Sequence, residues 1–541
     1  MKYIFFNKKF LFVIGLGLML GSCSKSYLDI NSNPNQSTDE NITPELIFPQ
    51  AAEAVGSIQG VGPWGFLDGW LGYFASNGDF ARDQQTTSYN IDFSFSNGAW
   101  STYYDALFDL HQVKTKALVK GDTALAGASM ILSAKLWQEL VDAFGNVPYS
   151  DAFSVDKNPR PTYDDAKTIY NSLQLSLDTA IQYMKTIPPA GFYFPTADIV
   201  NHGDQSKWMR FANILKLRML LRQSEVSGFD PSSELTKINN TTNGGLPGVG
   251  DSFSENPGYQ NDVNKQNPTF ATLGYNSAAS PAKQNTSTGL NNYILGVLYS
   301  GTSTVSSPDF IDPRTYRFWQ TVSGGFYGNN YGDDAGNSYS GASTSYFGPG
   351  LIGDPNNSGI YTAGASQDQW ILPDYESLFM ESEAAERGWI EGDAQSLFES
   401  AITQSFIFLK VPDANNAALS YIENTFFANW QQWQEYKGST VEDMADLIAI
   451  QKYISNCGID PFESWSDERR LHMLELLADP NTPIGIPINE YSDYISANPS
   501  KISSTIPIRL LYPQTEYTTN STNVKAQGTI DQFSSKIFWM P

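Results

Sequence analysis

The chain has 541 residues, 41% of them hydrophobic, which is enough to bury a sizeable core. Its formal net charge is −24, from 57 acidic and 33 basic residues, and such a field repels a phosphate backbone, which argues against nucleic acid as a partner. There are two cysteines. Because Cys23 is assigned below to lipidation, no intramolecular disulfide is expected, and Cys457 is predicted to be a small buried side chain rather than a nucleophile.

The N-terminus carries a secretion signal that ends at a cysteine. Lysines precede an apolar run over residues 10–20, which is too short to span a bilayer, and small residues stand directly before Cys23. This arrangement resembles the lipobox of bacterial lipoproteins. The resemblance implies that residues 1–22 are a signal peptide and that Cys23 carries a diacylglycerol thioether and an N-acyl chain such as palmitate. More than one acyl chain is what stable anchoring in an outer-membrane lipid layer requires.

The N-terminal half beyond the signal is predicted to be mainly helical. Residues 23–45 are polar and contain two prolines, which is typical of a tether, and Pro44 begins a helix to about Gly56. Residues 57–99 are rich in glycine, asparagine and aromatic residues, which favours a structured loop. Apolar spacing then predicts four helices, at about 100–120, 125–144, 163–184 and 205–222. Thr162 is the predicted cap of the third of these helices.

Residues 226–370 differ from the rest, because glycine, asparagine, serine and proline are frequent and helical periodicity fades. A loop region of this length is usually functional or disordered, and its many aromatic residues argue against disorder. Helices resume at 373–409 and 421–478, and the tail from residue 480 is predicted to be extended. The predicted fold class is mainly α, a tetratricopeptide-like helical-repeat superhelix with a large irregular, loop-rich insertion. Its predicted parts are a helical part with an aromatic loop at 46–225, an irregular ligand-binding lobe at 226–370, and a helical part with the tail at 371–541.

Two segments combine aromatic rings with planar polar groups, which is what recognition of sugar rings requires. The first segment contributes Trp64, Trp70, Tyr73, Asn77, Asp79, Arg82 and Tyr89. The second contributes Phe326, Tyr327, Asn329, Asn330, Tyr331, Asp333 and Tyr339. We predict that ligand contacts come from these positions, with core packing as the alternative for any single ring.

The sequence offers little for catalysis. Carboxylate pairs such as Asp333 and Asp334 are compatible with glycoside hydrolysis, but 57 acidic residues guarantee chance pairs. None of the three histidines stands in an H-E-x-x-H motif, and no nucleophile-elbow or P-loop motif occurs. We therefore assign no catalytic residue and expect no cofactor and no metal. Calcium at Asp333 and Asp334 is the weaker alternative, because the spacing of a calcium loop is missing.

A series of motifs, in order along the chain, resembles those of SusD/RagB-like nutrient-binding lipoproteins. They are residues 208–213 (WMRFAN), 312–314 (DPR), 383–388 (EAAERG), 450–454 (IQKYI), 463–470 (ESWSDERR) and 506–516 (IPIRLLYPQTE). The resemblance departs at Tyr453, where tryptophan is commoner, and at Ile508, where a second arginine often stands. It implies a cell-surface lipoprotein of the outer membrane that binds oligosaccharides and acts as a lid on a partner SusC-like TonB-dependent transporter barrel.

The motif residues themselves are expected to be structural. Glu383, Arg469, Arg470 and Glu516 are predicted to hold helices together through buried charge-assisted hydrogen bonds, and Trp208 and Trp465 to lie in the core. Two alternatives to a glycan-binding lid stay open. One is a peptide-binding lid of the same transporter type, and the weaker one is a lipoprotein glycosidase.

Overall fold

The computed structural model describes residues 42–154, 157–186, 194–300, 310–336, 339–340, 343–353, 364–478 and 493–541. Its N-terminal part consists of long helices separated by short elements. The helices and the first strand are α1 (Pro44–Val61), α2 (Leu67–Trp70), β1 (Phe74–Ser76), α3 (Gln84–Ser88), α4 (Asn97–Lys120), α5 (Thr123–Phe144), α6 (Ala166–Met184), α7 (Phe194–Ala197) and α8 (Gln205–Arg222). Successive long helices pack against one another, α1 on α4, α4 on α5, α5 on α6 and α6 on α8.

Local signals explain the ends of these helices. Gly121 ends α4 in the left-handed region at φ 82°, and the Asp122 carboxylate caps α5 by accepting from Leu125 N at 3.0 Å. Helix α6 starts later than predicted. Its cap is Asp165, which accepts from Thr168 N at 2.9 Å, so Thr162 as the predicted cap is wrong.

The middle of the chain is a lobe of short elements. They are α9 (Ser232–Ile238), a 3₁₀ turn (Thr241–Asn243), β2 (Phe253–Glu255), α10 (Pro268–Leu273), α11 (Lys283–Ser287), β3 (Thr288–Leu290), α12 (Asn292–Leu298), β4 (Tyr299–Ser300), β5 (Phe310–Ile311), α13 (Thr315–Phe318), α14 (Pro349–Ile352) and β6 (Gln369–Leu372). Among the described residues, β1 pairs with β3, β2 with β6 and β4 with β5, each pair as a two-stranded antiparallel sheet. The β1–β3 pair joins the N-terminal loop to the lobe, with Phe74 opposite Leu290.

Long helices return in the C-terminal part. They are α15 (Asp374–Glu386), α16 (Ala394–Phe408), α17 (Ala414–Asn424), a 3₁₀ turn (Phe426–Ala428), α18 (Trp430–Tyr436), α19 (Val441–Ser455), α20 (Pro461–Leu471), α21 (Met473–Ala478), α22 (Gln514–Thr519) and α23 (Ser521–Lys525). The last two correct the prediction of a wholly extended tail. The mainly α, tetratricopeptide-like fold with an irregular insertion is confirmed. Among the described residues, no helix combines the length and apolar character needed to cross a membrane.

Buried charge-assisted hydrogen bonds tie the helices together, as predicted for Glu383, Arg469 and Arg470. Arg470 donates to both carboxylate oxygens of Glu383, at 2.5 and 2.7 Å. Arg469 of α20 donates to Asp142 O of α5 at 2.5 Å. Glu516 is only half-buried and accepts from the Tyr163 hydroxyl at 2.8 Å. The rings of Trp208 and Trp465 and the thiol of Cys457 are fully buried. The motifs therefore mark the scaffold, and residues 44–541 form one compact unit. The division at 225 and 370 stays a prediction.

Candidate ligand-binding site

The two segments predicted to bind ligand lie side by side in the structure. Gly78 N donates to Tyr339 O at 2.9 Å, and Gly336 N donates back to Gly78 O at 2.8 Å. The Asn329 amide donates to Ser76 O at 2.9 Å, across 253 residues of sequence, and to Tyr339 O at 3.0 Å. The loop after β1 and the loop around residue 330 thus form one surface.

Arg82 fixes one edge of this surface. Its guanidinium donates to Gly332 O at 2.9 Å and pairs with the Asp334 carboxylate at 3.0 Å. The Arg82 side chain is 11% exposed whereas that of Asp334 is 57% exposed. Because both terminal nitrogens of the Arg82 guanidinium contact this loop, Arg82 is a positioning residue that holds the loop in place.

Aromatic rings cover the middle of the surface. Phe80 is 39% exposed and Tyr339 is 48% exposed, and the Tyr327 ring lies against that of Tyr339 with centroids 5.0 Å apart. Tyr346 lies close by. Its pKa is raised by partial burial and by the charge of Asp79, against the effect of a hydrogen bond with Asn77. We name the set Phe80, Tyr327, Tyr339 and Tyr346 the aromatic surface.

The chemistry of the aromatic surface suits a flat ligand with hydroxyl groups. Ring faces of Tyr327 and Tyr339 can cover apolar C–H faces, and their hydroxyls both donate and accept. Asp79 is exposed beside them, and Asn330 and Asp333 are partly exposed. Within the described ranges, no cluster of three or more His, Cys, Asp or Glu residues is arranged to hold a metal ion.

Several predicted contact residues are instead core residues, which corrects their assignment to the site. The buried rings are Trp64, Trp70, Tyr73, Tyr89, Phe326 and Tyr331. Their polar atoms are largely used internally, since the Trp70 indole donates to Thr86 O at 3.1 Å and the Tyr73 hydroxyl donates to Tyr453 O at 2.6 Å. Such rings have no free face for a ligand.

The buried amides have structural roles as well. Asn77 donates to Thr286 O at 3.2 Å, and Asn329 bridges the two loops as described above. Of the predicted residues, Asp79, Arg82, Tyr327, Asn330, Asp333 and Tyr339 remain at the surface. Sequence reasoning missed Phe80 and Tyr346. The available signal was that Phe80 directly follows Asp79 in the same polar turn.

A separate groove of about 630 Å³ lies between α1 and the start of α4. Its walls include Ala54, Ile58, Phe66 and Phe95, and Glu53 is the charged residue in its lining. The volume falls within the range of small-molecule sites, about 300–1,000 Å³. None of the predicted contact residues lines it, so we do not place the site there. The predicted lipidation site, Cys23, lies outside the described residues.

Comparison with solved structures shows which known proteins share this fold. A SusD homologue from Parabacteroides distasonis superposes with a TM-score of 0.70 at 20% identity, over 92% of this chain and 98% of that one. A SusD homologue from Bacteroides fragilis gives 0.65 at 19% identity, over 92% and 98%. A chitin-binding SusD homologue from Flavobacterium johnsoniae gives 0.64 at 20% identity, over 91% and 97%. At these identities the likeness establishes the fold alone.

The family itself follows from the sequence profile that matches residues 68–491, described as SusD-like, starch-binding and associating with the outer membrane. No curated protein matches the chain by sequence. The profile covers most of the chain, including the β1 loop, the irregular lobe and the ion-paired helices α15, α19 and α20. The chain therefore belongs to the SusD-like family of outer-membrane-associated nutrient-binding proteins.

Proposed function

We propose that this chain is a lipid-anchored, cell-surface protein that binds oligosaccharides and passes them to a partner TonB-dependent transporter of the SusC type. The observation that carries the proposal is the aromatic surface, where exposed rings lie among neutral and acidic hydrogen-bonding groups. The family description and the chitin-binding relative from Flavobacterium johnsoniae support a glycan as the ligand. Cys23 would supply the anchor through its acyl chains.

The proposal is that the protein binds the oligosaccharide without hydrolysing it. Retaining or inverting glycosidases place two carboxyl groups about 5–10 Å apart across the scissile bond. At the aromatic surface, Asp334 is paired with Arg82, and the rings occupy the centre. This arrangement supports binding of a sugar chain by stacking. Weak intrinsic affinity is sufficient for a lid, because a ligand held between lid and barrel gains effective concentration.

The test is calorimetric titration of residues 24–541 with a panel of neutral oligosaccharides and of peptides, followed by product analysis of each mixture. The proposal predicts saturable binding of at least one oligosaccharide and recovery of that sugar unchanged. Release of shorter sugars would replace it with a glycosidase. Binding of peptides with no response to any sugar would assign the lid to peptide import instead.

A further inference from the structure

A second concavity lies in the irregular lobe, next to the aromatic surface. It has a volume of about 290 Å³ and is formed by the end of α13, the chain that follows it, and α14. Its lining includes Tyr316, Trp319, Gln320, Thr321, Pro349 and Ile352. We name it the Trp319 cleft. Its volume is at the lower limit of known ligand pockets, about 300 Å³, which suits a single ring better than a longer ligand.

The walls of the Trp319 cleft are held together by close backbone contact. Gly348 N donates to Phe318 O at 2.6 Å, and a Cβ atom at Gly348 would lie only 2.5 Å from Arg317 O. The Trp319 ring stacks on Phe347 with centroids 5.7 Å apart and meets Phe74 edge-on at 5.5 Å. Because these close contacts fix its walls, the cleft is preformed, and ligand binding does not require the ordering of its residues.

Among the residues that the structure describes, the lining contains no charged side chain, which gives it a distinct chemistry. Trp319 is 1% exposed, and its indole N–H has no hydrogen-bond partner within the part of the chain that the structure describes. Tyr316, 51% exposed, offers a ring at the mouth, and Thr321 offers a hydroxyl. These groups fit a neutral polyhydroxylated ring and disfavour a phosphate or a carboxylate.

One short segment connects the cleft with the aromatic surface. Gln320 of the cleft donates from its backbone N to Tyr346 O at 2.8 Å, and from its side chain to Phe347 O at 2.9 Å. One residue earlier, Ser345 accepts at its hydroxyl from Tyr327 N at 3.1 Å. Residues 345–347 span only about 7 Å at the usual rise of an extended chain. The two sites are therefore within reach of neighbouring units of one oligosaccharide.

We propose that the Trp319 cleft is an end-unit subsite that takes one neutral sugar ring of an oligosaccharide whose following units lie across the aromatic surface. The inference rests on the proposed function and deepens it. The cleft selects a neutral terminal unit through its uncharged described lining and the exposed Tyr316 ring, while the aromatic surface binds the following units with less dependence on their composition. Affinity then rises with chain length until both sites are filled.

The experiment measures the Kd of residues 24–541 and of their variant Thr321→Trp for a length series of the oligosaccharide that binds. Thr321 is an exposed residue of the lining, and the larger tryptophan side chain is meant to fill the cleft. The inference predicts roughly tenfold weaker binding of the longer members, and an affinity plateau reached one unit earlier than in the unmodified protein. Thr236→Trp, at an exposed position on α9, is the matched control and leaves the series unchanged. A second measurement follows the Trp319 indole N–H signal by NMR, identified by its loss in Trp319→Phe, and expects it to shift on ligand addition.

The outcomes separate the two proposals. If the unmodified protein binds no oligosaccharide, the proposed function fails. If it binds, and Tyr339→Ala weakens binding, but Thr321→Trp leaves every Kd unchanged and the Trp319 signal does not move, the function stands and the end-unit subsite is refuted. A second pair of ligands carries either a neutral or a carboxylate-bearing ring at each end. Equal affinity for the two would also overturn the subsite, because the described residues of its lining include no group that pairs with a charge.

Discussion

The ion pairs around Glu383 lead to a quantitative prediction for stability. Its carboxylate is 6% exposed and accepts from Arg470 at 2.5 and 2.7 Å and from Arg387 at 2.9 Å. Burial alone raises the pKa of Glu383, but the two guanidiniums outweigh it and lower the pKa from 4.5 to about 2. A shift of that size corresponds to about 3 kcal/mol at 1.36 kcal/mol per pKa unit, near the cost of breaking a buried ion pair.

We therefore expect Glu383→Gln to lower the free energy of unfolding by about 3 kcal/mol at pH 7. The assay is reversible urea unfolding of residues 24–541, with coincident fluorescence and circular dichroism transitions as the check for two-state behaviour. Glu391→Gln, at an exposed glutamate that follows α15, is the control and is expected to change the free energy by less than about 0.5 kcal/mol.

The pH dependence of the unfolding free energy is a second test of the Glu383 ion pairs. Because the folded pKa of Glu383 is depressed, its contribution is present above about pH 4.5 and is lost as the pH falls towards 2. The destabilisation caused by Glu383→Gln should accordingly shrink over this range. A loss at pH 7 below about 1 kcal/mol, or one that does not shrink in acid, would refute the reasoning about this pair.

Three further predictions concern packing, pH and the thiol. In urea unfolding, Gly348→Ala should destabilise the fold by about 1–3 kcal/mol, because its Cβ would approach Arg317 O. The control Gly98→Ala, inside α4 and with nothing within 4 Å of its Cβ, should not destabilise and should stabilise by up to about 1 kcal/mol. Burial raises the pKa of Glu468 to about 8, so its stabilising contribution is present below about pH 4.5 and is lost as the pH rises through 8. Glu468→Gln should flatten that part of the stability profile, and an unchanged profile would contradict the assignment. Cys457, buried with a raised pKa, should react with a thiol reagent in residues 24–541 only on unfolding, and rapid native reaction would place it at the surface.

Local signals made the scaffold predictable from sequence. Helix α4 ends at a glycine and α5 starts at an aspartate, because the chemistry of both ends lies within a few residues. The start of α6 was misjudged because several residues there can cap a helix. The Asp164 carboxylate accepts from Tyr149 N at 2.9 Å, and Asp165 is the residue that caps. This choice depends on a contact that sequence spacing does not reveal.

The site was predictable only to the level of segments. Composition identified the two loops, but it could not tell inward rings from outward ones, since that is decided by partners distant in sequence. Trp70 is buried among the rings of Phe66, Tyr89 and Phe95, and the ring of Tyr331 from the second loop packs so closely on the neighbouring Gly69 that a Cβ there would lie 2.4 Å from it. Phe80, only ten residues after Trp70, faces solvent. Long-range packing, absent from any local pattern, made the difference.

The central claim is that the aromatic surface holds the ligand. The most direct measurement is the Kd of the best oligosaccharide for the double variant Tyr327→Ala and Tyr339→Ala, with Phe108→Ala as a control at a ring 42% exposed on α4. Loss of ring burial worth about 1.5–3 kcal/mol predicts roughly 10- to 150-fold weaker binding by the double variant. The control is expected to bind as tightly as the unmodified protein. An unchanged Kd in a double variant that keeps the native melting temperature would contradict the account and place the site elsewhere.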